Sequence, residues 1–158
     1  MNTYVDSSVL FSLYVTDANS PKADAWRQNH PMPHHLTDFH RVELRNAFSL
    51  AVFQQRLTLA ESQAAWTEIE KDLAAGLLVT QPLPWDKPLP HAEQLAALHT
   101  PTVGSRSLDV LHVAAALVLE ATDFCTFDAR QARLAQAAGL LVQTQEPPPA
   151  APPTGPPP

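Results

Sequence analysis

Short β-prone segments alternate with helical stretches along this chain, and that order constrains its fold more than any other feature. Thr3-Tyr4-Val5 runs into Asp6-Ser7-Ser8, a cluster of helix-capping residues ahead of Val9-Leu10-Phe11. A second helix is predicted over residues 20–28, with Pro21 in its first turn. A proline-rich loop through residues 31–35 then leads to an extended Leu36-Thr37. Over residues 38–54 the apolar positions Val42, Leu44, Ala47, Phe48, Ala51 and Val52 recur at helical spacing, with Asp38 where a cap is expected. Residues 59–75 form another helix that stops at Gly76, and Leu77-Leu78-Val79-Thr80 reads as a strand. Pro82, Pro84, Pro88 and Pro90 mark a loop before a helix near residues 91–99. Ser107 is the expected cap of a helix over residues 108–119 that is apolar nearly all round, and therefore buried. A strand over residues 123–127, a helix over 128–138 closed by Gly139, and Leu140-Leu141-Val142 complete the pattern. Strands alternating with helices predict an α/β fold: a three-layer α/β/α sandwich around a central parallel sheet.

Of the 16 prolines, eight fall between Pro147 and Pro158. The expected organisation is one domain over residues 1–145 and a proline-rich, disordered tail over 146–158. The single cysteine, Cys125, has no partner for an internal disulfide and is expected to be a buried thiol in a reducing, cytoplasmic compartment. No apolar run is long enough to span a bilayer, so no membrane association is expected.

In open α/β sheets, ligand sites collect at the carboxyl ends of the strands. Asp6 follows the first strand and Asp128 the fourth. Glu43 lies on the hydrophobic side of the 38–54 helix, and Asp109 interrupts the apolar helix two residues after its expected cap. Taken singly, Asp6 and Asp128 read as N-caps, Asp109 as a charge answering a helix dipole, and Glu43 as a half-exposed helix residue. Taken together at one sheet edge, four carboxylates repel by about 4 kcal/mol per pair at 4 Å and an effective dielectric near 20. A cation offsets that repulsion, and oxygen ligation without cysteine points to Mg²⁺ or Mn²⁺ rather than zinc. Asp38, five residues before Glu43, cannot share its helix face.

The segments Y-V-D-S-S-V-L, V-E-L-R-N-A, R-S-L-D-V-L-H-V-A-A-A-L and T-F-D-A-R-Q-A-R-L-A, in this order and spacing, resemble the PIN-domain ribonucleases, and most closely the VapC-type toxins of toxin–antitoxin pairs. The resemblance covers about residues 2–143. It implies a Mg²⁺- or Mn²⁺-dependent endoribonuclease whose metal ligands are Asp6, Glu43, Asp109 and Asp128, with Thr126 positioning water or the last carboxylate. It also implies a homodimer and a small cognate antitoxin. Hydrolysis by metal-activated water leaves 5′-phosphate and 3′-hydroxyl ends.

The formal charge of −6 argues against a broad basic nucleic-acid face, unless the acid excess is gathered in a site. Arg41, Arg45, Arg106, Arg130 and Arg133 lie within a few residues of the four acids, and Arg41, Arg45, Arg106 and Arg130 are the candidate RNA contacts. His112, three residues after Asp109, reads as a supporting or packing group, and Trp26 and Trp66 read as core. A receiver-type phosphoacceptor lacks its late lysine here, since the only lysines are Lys22, Lys71 and Lys87. A haloacid-dehalogenase-type site lacks its second aspartate, because Ser8 stands there. No glycine-rich phosphate loop is present. The alternative from another class is a non-catalytic RNA- or protein-binding module that keeps the same fold.

Overall fold

The computed structural model describes residues 3–30 and 33–143; the predicted tail and Pro31-Met32 lie outside the described residues. In chain order the elements are β1 (Thr3–Val5), α1 (Ser7–Tyr14), α2 (Ser20–Asn29), β2 (His34–Leu36), α3 (Asp38–Phe53), α4 (Leu59–Ala74), β3 (Leu78–Thr80), α5 (Pro88–Val103), α6 (Ser107–Val118), β4 (Asp123–Cys125), α7 (Ala129–Ala137) and β5 (Leu141–Gln143). All strand pairs are parallel: β1 pairs with β4, β4 with β5, and β2 with β3. The mixed α/β architecture with a parallel sheet is the predicted one.

Register explains the layering. Successive strand residues point to opposite faces. Tyr4 and Phe124 are paired in register and both enter a core with α5, α6 and α7, where they stack at 5.4 Å. Val5 and Cys125, one residue further, enter the opposite core with α1, α2, α3 and α4. That second core holds Trp26 and Trp66, as expected, and burial pushes the Cys125 thiol pKa far up, leaving it protonated and inert. On α6, Val113, Ala114, Ala115 and Ala116 are all fully buried, so small side chains let the helix lie close against its neighbours. Phe124 has no exposed surface, and Phe124→Ala is expected to cost about 3–5 kcal/mol in urea unfolding. A loss below 1 kcal/mol would show that the two aromatic rings do not organise this core.

The ladder breaks between β1 and β2. There a side chain stands in for a strand: His40 of α3, fully buried, donates from Nε2 to the Val5 carbonyl at 2.9 Å.

Four local expectations are corrected. The cap of α3 is Thr37, whose hydroxyl accepts from the His40 amide, and Asp38 is the first helical residue. The cap of α6 is Arg106 rather than Ser107, and Asp109 reaches back to the Arg106 N–H at 2.8 Å. Helix α5 starts at Pro88, in the stretch expected to be loop, because proline at the start of a helix gives up an amide that has no intrahelical acceptor. It ends at Gly104, whose φ of +72° is the left-handed conformation that favours glycine. The fourth strand stops at Cys125, since the Thr126 hydroxyl turns to Asp6 and the Phe127 amide to the Ser8 hydroxyl.

Candidate active site

Asp6 emerges from β1 with its amide still bonded to the Cys125 carbonyl at 3.0 Å, so the ladder with β4 fixes its position. It caps α1: Oδ1 accepts from the Ser8 amide (3.1 Å), the Val9 amide (3.2 Å) and the Ser8 hydroxyl (2.7 Å). Its Oδ2 accepts from the Thr126 hydroxyl at 2.8 Å. Only 1 % of Asp6 is exposed, and among the described residues no lysine or arginine is ion-paired with it. Burial pushes its carboxyl pKa up; His112 and the hydroxyl and amide donors only partly oppose this. Its hydrogen-bond partners are all neutral donors, which offset the burial of a carboxylate charge less than an ion pair does.

Thr126 joins this acid to the next, since its hydroxyl also accepts from the Asp128 amide at 2.9 Å. Ser8 makes a second stitch by accepting from the Phe127 amide at 3.0 Å. Asp128 caps α7 through the Arg130 amide (2.7 Å) and the Gln131 amide (3.3 Å). Burial raises the Asp128 pKa, but those amides and the Arg130 charge outweigh it and hold the carboxyl below its usual range. Gln131 then extends Nε2 toward Asp109 Oδ1 at 3.5 Å, across the N-termini of α7 and α6. On the other side, Ser7, next to Asp6 in the chain, donates its hydroxyl to Glu43 Oε2 at 2.7 Å. The same oxygen receives His112 Nε2, and His112 Nδ1 lies 2.9 Å from the Tyr4 hydroxyl. Burial raises the Glu43 pKa, while His112 and Ser7 more than reverse it, so the net shift is downward.

Hydrogen bonds thus join Asp6, Asp128 and Asp109 through Thr126 and Gln131, while Glu43 is held separately by His112 and by Ser7, the residue next to Asp6 in the chain. The four acidic side chains do not converge on one point: among the described residues, no three His, Cys, Asp or Glu side chains are grouped closely enough to hold a metal ion. The donor set itself suits a hard divalent cation, being all oxygen, with Asp6 buried and in no ion pair with lysine or arginine, and Glu43 Oε1 accepting no hydrogen bond, among the described residues.

A cleft of about 480 Å³ opens beside the network. Ser7, Ser8 and Glu43 line it, with Asp17, Asn46 and Arg56 among its other polar groups and Phe11, Phe39 and Leu50 among its apolar ones. Asp6, Asp109, Asp128 and Thr126 do not line it.

The arginines divide. Arg41 pairs with Glu70 at 2.8 Å, and the Arg45 guanidinium lies 3.6 Å from the Trp66 ring centroid, so both are engaged with α4. Arg130 reaches Asp128 only at 3.5 Å, and Arg106 is exposed and unpaired among the described residues. Ser7, Ser8, Gln131 and Tyr4 are network members that motif reading passed over. The legible signal was polarity out of place: Gln131 is buried in the apolar stripe of α7, and His112 in that of α6.

Neither a protein-family model nor a curated protein sequence matches the chain. Among solved structures it is similar to FitAcB from Neisseria gonorrhoeae, with a TM-score of 0.65 and 19% identity over 91% of this chain and 97% of that one. It is also similar to Mycobacterium tuberculosis VapC20, a sarcin–ricin loop cleaving toxin, with a TM-score of 0.63 and 17% identity over 89% of this chain and 97% of that one. The chain therefore has the VapC-type PIN fold that its motifs resemble.

Proposed function

We propose that this PIN-fold chain is a Mg²⁺- or Mn²⁺-dependent endoribonuclease acting as the toxin of a toxin–antitoxin pair. The observation that carries this reading is the buried Asp6, held by neutral hydrogen-bond donors and joined through Thr126, Asp128 and Gln131 to Asp109, with Glu43 held by the neighbouring Ser7. The RNA-cleaving activity of VapC20, on the same fold, supports it. Asp6, Glu43, Asp109 and Asp128 would hold the metal. A bound divalent ion supplies an activated water and neutralises charge on a phosphodiester. The protein's own part is positional: Thr126 fixes Asp6 and Asp128 together, and the α1, α6 and α7 N-termini aim backbone amides at the carboxylates. Arg106 and Arg130 would meet RNA phosphates at the rim. Partners are a cognate antitoxin and a second copy of the chain, and the setting is cytoplasmic; no helix among the described residues is long and apolar enough to cross a membrane.

One observation favours the second reading, a non-catalytic RNA- or protein-binding module: among the described residues no three acids converge as the side chains stand. Incubating purified, antitoxin-free protein with structured RNA separates the two. Cleavage with Mg²⁺ or Mn²⁺ that stops in EDTA and leaves 5′-phosphates is the expected result. RNA bound and left intact in the presence of metal would select the binding module. Replacing Arg106 and Arg130 together is expected to weaken RNA binding and flatten its salt dependence by about one to two charges. An unchanged slope removes them from the RNA path.

A further inference from the structure

Beneath Glu43 the network continues into the core. His112 is 1 % exposed, on a helix whose next four residues are all apolar and buried. An imidazole there costs about 1–3 kcal/mol for each nitrogen left unpaired. Both are paired, Nδ1 with the Tyr4 hydroxyl and Nε2 with Glu43 Oε2. The ring is also boxed in by Phe39 at 4.6 Å, His40 at 5.2 Å and Tyr4 at 5.7 Å, and Tyr4 is itself held by its stack on Phe124. Facing a carboxylate, Nε2 must carry its hydrogen whether the ring is neutral or charged, since a bare nitrogen lone pair would repel Oε2. The direction of the hydrogen bond is therefore set by geometry alone.

Ser7 donates to that same oxygen. Two donors thus restrain Oε2, while Oε1 accepts no hydrogen bond among the described residues. A carboxylate gripped through one oxygen, with the other free, is the arrangement by which outer groups orient a metal ligand. We infer that His112, oriented by Tyr4, is the positioning residue for Glu43, pinning Oε2 so that Oε1 remains free to bind a divalent cation. This rests on the nuclease reading for the cation, and gives His112 and Tyr4, which stand beside the acids in the matched segments, a role toward Glu43.

The test is Mn²⁺ titration calorimetry on the full, RNA-free chain, with urea unfolding of each variant and ¹⁵N spectra of the metal-free histidines. His112→Leu is expected to weaken Mn²⁺ binding about 10- to 100-fold. His112→Gln, whose amide N–H can reach toward the Nε2 position, is expected to recover affinity to within about threefold of wild type. Tyr4→Phe, which keeps the stack and loses the hydroxyl, is expected to weaken binding about threefold and to perturb the His112 ¹⁵N shifts. A merely structural histidine would alter stability without separating Gln from Leu in Mn²⁺ affinity. Wild-type affinity in folded His112→Leu, a Gln variant no better than Leu, or a wild-type spectrum with Nε2 unprotonated would each overturn the inference. Should the Leu variant not fold, the Tyr4→Phe affinity and spectrum decide. A wild-type chain that binds no Mn²⁺ and cuts no RNA brings down the nuclease reading as well, whereas one that binds and cuts beside an equally competent His112→Leu brings down only this assignment.

Discussion

Asp6→Asn is expected to lower RNA cleavage by roughly 10²- to 10³-fold or more while leaving the fold intact. The substitution is close to isosteric. The asparagine carbonyl can still accept from the Ser8 and Val9 amides that cap α1, and its amide nitrogen can turn to the Thr126 hydroxyl. What disappears is the negative charge, in a place where burial already disfavours it. Folding stability is accordingly expected to stay within about 1 kcal/mol of wild type at neutral pH, or to rise slightly. Activity and stability then move apart, as they do when a protein keeps a destabilising group for its chemistry. The two measurements must be made together, a cleavage rate and a urea midpoint on the same preparation. Cleavage within tenfold of wild type, with the fold unchanged, would remove Asp6 from the reacting centre and leave it as a helix cap.

The reach of local sequence signals explains what could be seen in advance. Asp6 and Asp128 were visible because a strand, an acid and a helix follow one another within a few residues, and the same carboxylate that caps the helix is carried to the sheet edge. Even the parallel sheet follows from such short-range order. The Glu43–His112–Tyr4 connection was not visible, because its members are separated by 69 and 108 residues and meet only once β1, α3 and α6 are brought together by the fold. The break between β1 and β2 is of the same kind, since the group that replaces a strand is a histidine 35 residues from the carbonyl it satisfies. Arg41 and Arg45 show the opposite hazard. They flank Glu43 at two residues on either side, and residues two apart on a helix do not share a face. Sequence proximity suggested a basic rim; helical geometry turns both side chains to Trp66 and, for Arg41, Glu70 on α4.

The histidine that bridges β1 and α3 also makes the fold sensitive to acid. His40 Nδ1 accepts from the Thr37 amide at 3.1 Å and lies 2.7 Å from its hydroxyl, while Nε2–H donates to Val5. The ring is therefore held neutral, because a proton on Nδ1 would face an N–H donor. Burial, with His112 nearby as the smaller cause, pushes the His40 pKa down to about 3, against the ordinary 6.5. Between those two values the unfolded chain binds more protons than the folded one. Stability is thus fully present above about pH 6.5 and is lost as pH falls toward 3, by on the order of 4 kcal/mol from this residue. That is a large share of a typical domain's 5–15 kcal/mol. His34 acts in the same direction, with burial and then His30 lowering it to about 4, whereas Asp6, whose pKa is raised, opposes the trend. His40→Gln isolates the effect, since its amide can keep the bond to Val5 without titrating. The wild-type urea midpoint is expected to fall steadily from pH 6.5 to 4.5, and the His40→Gln midpoint, starting about 1 kcal/mol lower, to fall much less. Parallel slopes for the two proteins would mean that the acid sensitivity arises elsewhere, and that the imidazole bridging β1 and α3 tolerates its second proton.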